Sequence, residues 1–180
     1  SSAASDVYKR QDRASARRIA SDELPIFVTR SLADLRENLK LRSRGRRRIG
    51  LVCSSGAKRL VADGIWPRFA HQEEATVANW FLCRWPDVRA SDALEIPATE
   101  FACQGLELDH VGLCWGGDLL WAGRWNIRSF RGTKWLNVKS SEAQAYTINK
   151  YRVLLTRARA DTIIWIPHGD EADITRCPKA

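Results

Sequence analysis

The chain is predicted to be an α/β protein: one mainly parallel sheet with helices on both faces and an inserted hairpin near residues 116–139. Three observations predict it. Short apolar runs alternate with helical periodicity along most of the chain, the signature of strand–helix–strand units. The run Ile49-Gly50-Leu51-Val52-Cys53 has no polar alternation, as expected of a strand covered on both sides. At 180 residues and 44% apolar, the chain can fill one core and is most simply one domain.

The elements follow in order. Pro25–Thr29 is the first strand. Ser31 caps a helix with Leu32, Leu35 and Leu39 on one face and Asp34 at its positive end. The basic run at Leu41–Arg48 ends that helix, and the Ile49–Cys53 strand follows. Ser54-Ser55-Gly56 opens a short helix through Leu60 and Ala62, stopped by Gly64. Glu73–Cys83 forms a helix with Val77, Trp80 and Phe81 inward; Trp85–Asp92 is a polar loop. Leu94–Ala98 is extended, with Pro97 marking a strand end. Val111–Trp115 is the next strand, and glycines at 116, 117, 123 and 132 then separate short alternating runs. Ser141 and Gln144 form a capping box for a helix reaching about Arg159, and Thr162–Ile166 is the last strand.

The net charge of +8 is uneven: residues 1–48 hold 13 of the 29 Lys/Arg and 6 of the 21 Asp/Glu. The excess peaks at Leu41–Arg48, which is either a polyanion-binding patch or a solvated face. Five cysteines without C-x-x-C spacing and three scattered histidines make no zinc pattern, so no metal site is expected, and reduced buried thiols in a cytoplasmic protein are. No apolar run approaches the roughly 20 residues that span a bilayer. Methionine is absent, so the chain is taken as part of a longer reading frame. Residues 1–24 are set apart as a disordered or non-native lead, and 25–180 as the domain.

Two segments carry the chemistry. Thr99-Glu100-Phe101-Ala102-Cys103-Gln104-Gly105-Leu106-Glu107 sets a polar loop with a glycine between strand-like runs. Gly105 permits close backbone approach, and Gln104 and Glu107 offer an amide and a carboxylate to a ribose or a metal-bound water; a plain turn is the other possibility. Thr156-Arg157-Ala158-Arg159 ends a helix beside a strand, where a rigid guanidinium fork can reach a phosphate across a gap. Arg159 is assigned instead to the negative end of the helix dipole. No G-x-x-x-x-G-K-[ST] occurs, so the chain has no phosphate-cradling loop of that kind.

These segments resemble motifs V and VI of superfamily 1 helicases. Together with Thr29-Arg30-Ser31-Leu32, Gly50–Ser55, Glu100–Asp109, Tyr151–Arg159 and Asp173–Arg176, they resemble the Schlafen group-3-like DNA/RNA helicase family from about Pro25 to Arg176. The resemblance implies the second RecA-like domain of a motor with the P-loop NTPase fold, whose N-terminal RecA-like domain holds ATP and Mg2+. It implies Arg157 as the arginine finger and Gln104, Gly105, Glu107 and Thr156 at the nucleotide. It also implies Thr99 at the backbone of single-stranded DNA or RNA. The loop at Ser54–Ser55 departs from the pattern by lacking an arginine.

Trp115, Trp121, Trp125 and Trp135, half of the eight tryptophans, are interleaved with Arg124, Arg128, Arg131 and Lys134. They are either a base-stacking surface, with Trp125 and Arg128 foremost, or the packed face of the hairpin. His110 and His168 are assigned to surface or packing, and Asp170, Glu171 and Asp173 to a solvated loop. The expected function is an ATP-dependent helicase or translocase domain; the alternative is a nucleic-acid-binding regulatory module that does not translocate. A nuclease ranks below both, since no acidic residues are grouped for one.

Overall fold

A computed structural model describes residues 17–19, 25–67 and 74–176. The rest of the lead and the tail from 177 lie outside the described residues. The strands are β1 (Arg17–Ile19), β2 (Ile26–Thr29), β3 (Ile49–Cys53), β4 (Ala98–Thr99), β5 (Leu108–Cys114), β6 (Leu119–Trp121), β7 (Trp125–Arg131), β8 (Lys134–Asn137) and β9 (Ala158–Trp165). The helices are α1 (Leu32–Arg42), α2 (Glu74–Leu82) and α3 (Ser141–Leu155). The main sheet runs β1-β2-β9-β5-β3-β4, parallel throughout except for the edge pair β1–β2. The expected α/β fold with a mainly parallel sheet is therefore present.

The two-residue side-chain period of the strands divides the core. Ile49, Leu51, Cys53, Cys114, Ile163 and Trp165 face Leu35 and Leu39 of α1. Val52, Val111, Leu113 and Ile164 face the opposite side, against Trp80 of α2 and Leu154 of α3. Both faces of the sheet thus carry helices, which is why the central strands read as unbroken apolar runs. Ser31 caps α1 as expected, its Oγ accepting from Asp34 N at 3.1 Å.

Several boundaries differ from the sequence expectation. The segment after Ser54 is a 3-10 helix, Lys58–Asp63, closed by Gly64 in the left-handed region. Leu94 is itself left-handed (φ 59°), and only Ala98–Thr99 pairs as strand. The cap of α3 is Ser140 rather than Ser141, and Gln144 Nε2 donates back to Val138 O at 2.7 Å. The insertion holds three antiparallel strands, β6-β7-β8, rather than two. The helix α3 ends at Leu155, so Arg159 sits in β9 and not at a helix terminus. Thr156 stops the helix by turning its hydroxyl onto the Arg152 and Val153 carbonyls, both at 3.1 Å. His110 is buried and bonded to Asp161 at 2.8 Å, and Arg42 takes the other oxygen of that carboxylate at 3.1 Å. His110 is thus a packing residue that ties β5 to β9, and Arg42 ties α1 to the same carboxylate. Two carboxylates of the expected solvated loop are engaged: Asp173 pairs with Arg59 and Asp170 with Arg176.

Candidate functional site

The chemistry-bearing segments lie toward the two ends of the main sheet and are joined by the short turn Glu100–Cys103, where Cys103 N donates to Thr99 O at 3.0 Å. At the amino end lies the bend Gln104-Gly105-Leu106-Glu107, just before β5. Ala102 and Cys103 are buried and anchor it, leaving Gln104, Gly105 and Glu107 exposed. Gly105 has φ 74°, with nothing near the position of a Cβ; backbone conformation, not crowding, requires the glycine.

Arg157 enters β9 beside this bend. Leu108 N donates to Arg157 O at 3.0 Å, which fixes the two segments together. The guanidinium donates from Nε to Val153 O at 3.0 Å, from Nη1 to Cys103 O at 3.5 Å and from Nη2 to Thr156 Oγ1 at 3.4 Å. All three acceptors are neutral, so a half-buried cation is held in place with its charge uncancelled by any carboxylate among the described residues. Glu107 is paired with Arg159 at 2.8 Å, an exposed bridge that solvent screens and a ligand can exchange. The basic run enters β3 at the same end, with Arg44, Arg46 and Arg47 exposed. Burial pushes the nearby Cys103 thiol up to about 11, so it is no nucleophile at neutral pH.

The carboxyl end holds a buried ionic cluster that sequence reasoning missed. Lys150 of α3 donates to Ser54 Oγ at 3.1 Å and stands 3.7 Å from Glu100 and 3.8 Å from Asp118. Glu100 accepts from Ser55 N at 2.8 Å and Ser55 Oγ at 2.5 Å. Asp118 accepts from Ser54 Oγ at 2.5 Å and Tyr151 OH at 2.6 Å. Burial, then the neighbouring Asp118 charge, holds the Tyr151 phenol well above its ordinary range. A chain of rings leads outward from Tyr151: Trp115 at 4.5 Å between centroids, Trp125 a further 6.2 Å, Trp121 another 5.2 Å. Trp121 and Trp125 are 64% and 46% exposed, which makes their faces available to a partner.

The family model of the Schlafen group 3, DNA/RNA helicase domain matches residues 2–168. The chain belongs to that family. No curated protein and no solved structure matches it. The matched span of this helicase domain takes in the lead before residue 25, the main sheet and the inserted sheet.

Within the helicase domain, Arg157, Thr156, Gln104, Gly105 and Glu107 come together as one group. Thr99, at the carboxyl end of β4, reaches that group only through its carbonyl, which accepts from Cys103 N at 3.0 Å; its side chain is fully buried, with Oγ1 lacking a hydrogen-bond partner among the described residues. Trp125 and Arg128 are three residues apart in β7 and so lie on opposite faces of the strand. Among the described residues no group of His, Cys, Asp or Glu is placed to hold a metal, and no helix is long and apolar enough to cross a membrane.

Gly116 sits where the cluster is tightest. A Cβ there would overlap the Ala57 side chain and lie 2.6 Å from Asp118 Oδ1 and 2.8 Å from Ala57 Cα. Gly116→Ala is expected to destabilise the domain by about 1–3 kcal/mol, as overpacking of a filled core does. Urea denaturation checks it: an unchanged midpoint would mean the loop gives way without loss.

Proposed function

We propose that this domain is the second motor lobe of an ATP-dependent DNA or RNA helicase or translocase of superfamily 1. An upstream RecA-like lobe would hold ATP and Mg2+, which supply the phosphoryl group and its counter-charge. The convergence of Arg157 with the Gln104–Glu107 bend at one sheet end carries the proposal. A guanidinium held by carbonyls and a hydroxyl keeps its full charge for the phosphate of a bound nucleotide. Gln104 and Glu107, both exposed on the bend, are assigned to a ribose or a magnesium-bound water, and Thr156, which accepts from Arg157 Nη2, to orienting the arginine.

The strand side is assigned to the other end and the inserted sheet. Trp125 and Trp121 offer ring faces beside exposed Arg124, the combination that grips single strands without sequence preference. Arg128 adds charge from the opposite face of β7. Thr99 joins the strand contact only if the segment around it moves, since its hydroxyl is covered. A cytoplasmic location is part of the same proposal.

The complete protein is expected to hydrolyse ATP faster when single-stranded nucleic acid is added, measured at fixed salt because phosphate contacts are salt-dependent. Strand binding without stimulated turnover would favour the non-translocating module. The separation of the exposed tryptophans from the Arg157 end makes that outcome physically coherent. Trp125→Ala is expected to weaken single-strand affinity by about 1–3 kcal/mol, the worth of one base stacked on a ring. Fluorescence titration reads the loss, and an affinity equal to the parent would take Trp125 out of the strand site.

A further inference from the structure

A cavity of about 150 Å³ opens beyond the carboxyl ends of β2, β5 and β9, where Arg30, Trp115 and Ile166 lie. The inserted sheet closes one side with Arg128 and Trp135, and the segment at Thr175–Arg176 closes another. Trp135 Nε1 donates to Thr175 O at 2.9 Å, so the ring is fixed in place. Gly117 lies against that ring, where a Cβ would come within 2.9 Å of it.

Four guanidiniums line the space, and they are not equivalent. Arg59 is neutralised by Asp173 at 2.5 Å, and Arg176 by Asp63 at 2.9 Å. Among the described residues the Arg30 guanidinium bonds Pro167 O, at 2.9 Å. Arg128 donates to Gly117 O at 3.1 Å and lies 4.9 Å over the Trp135 ring. Neither forms a carboxylate salt bridge among the described residues; burial lowers the Arg128 guanidinium below its usual value, and the neighbouring Asp118 charge partly opposes that. An anion delivered here would meet Arg30, which has no carboxylate beside it among the described residues, and a half-buried Arg128 on which the Asp118 carboxylate acts without a direct salt bridge.

Size narrows the occupant. A cavity near 150 Å³ is about what one benzene ring fills, far below what a nucleoside triphosphate needs. We propose that this cavity takes the base of a single unstacked nucleotide of a bound strand, against Trp115 and Trp135, while the sugar and phosphate stay at its open mouth, where Arg30 and Arg128 meet the phosphate. The proposal rests on the strand-binding role above and adds a base-holding pocket separate from the exposed Trp121–Trp125 face. A free mononucleotide shares the same chemistry, and the test distinguishes the two.

Two variants of the full chain serve. Leu120→Trp fills the ring space from a cavity-lining position, and Arg30→Ala removes an exposed guanidinium whose recorded bond is to one carbonyl. The probes are oligothymidylate, a sugar–phosphate oligomer of equal length without bases, and thymidine monophosphate. Leu120→Trp is expected to weaken oligothymidylate binding about 5- to 150-fold, the range for one stacked base, and to leave the base-free oligomer unchanged. Arg30→Ala is expected to weaken both oligomers and to lower the salt slope by about one. Parent-like binding of all probes by both variants would overturn the pocket, while Trp125→Ala still reports on the strand-binding role by itself. Tight binding of thymidine monophosphate by the parent, lost in Leu120→Trp with oligothymidylate affinity unchanged, would overturn the strand form in favour of a free nucleotide.

Discussion

Arg157→Ala in the complete protein is expected to lower strand-stimulated ATP turnover by about 10³–10⁵-fold, the contribution of an arginine finger to phosphoryl transfer. That is roughly 4–7 kcal/mol of barrier at about 1.4 kcal/mol per decade. Nucleotide affinity is expected to stay within a few-fold, because on the proposed reading an upstream lobe would hold most of the triphosphate. The geometry makes the mutation interpretable. The guanidinium bonds Val153 O, Cys103 O and Thr156 Oγ1, neutral partners at a half-exposed site, so its removal leaves no buried charge behind. Arg157→Lys keeps a charge but loses the planar fork, and is expected to recover little. Turnover at saturating ATP and strand, with the melting temperature followed in parallel, separates chemistry from folding. Turnover near that of the parent would remove Arg157 from the reaction.

Much of this domain was legible in its sequence. Ile49–Cys53 announced a strand covered on both sides, and the Ser31 cap with Leu35 and Leu39 announced α1 and its inward face. The pairing of Arg157 with the Gln104–Glu107 bend also followed from the motifs. What the sequence concealed was mostly tertiary. Thr156 consumes the last carbonyls of α3, so the helix stops short and Arg159 becomes a strand residue that meets Glu107. A dipole argument for Arg159 had no means of seeing a partner 52 residues away. Leu94 takes a left-handed conformation that a leucine seldom adopts, and this shortened the strand expected there. Asp118 lay in the turn before β6, in a glycine-rich stretch with no pattern to mark it.

Lys150 is the instructive omission, since its signal was present. Thr147, Lys150, Tyr151 and Leu154 are the buried positions of α3, spaced as one helical stripe. A lysine on that stripe has to be paired, and the nearby polar loops hold the carboxylates that pair it. Lys150→Met is therefore expected to destabilise the domain by about 3–5 kcal/mol, the cost of breaking a buried ion cluster by removing one partner. The apolar replacement retains most of the chain's packing, so the loss reflects Glu100 and Asp118 left without their cation. Adding Glu100→Gln to Lys150→Met is expected to recover about 1–3 kcal/mol, a coupling typical of residues in one network. Equilibrium unfolding of the single and double variants tests this directly; strictly additive losses would mean that Lys150 and Glu100 do not act as a pair. The consequence reaches beyond stability. Lys150 and its partners join α3 to the loops that follow β3, β4 and β5, and Tyr151 continues the contact through Trp115 to the exposed Trp125. Arg157 follows Tyr151 by six residues, just past the C-terminal end of the same helix, so the ion cluster and the Arg157 group share one helix end.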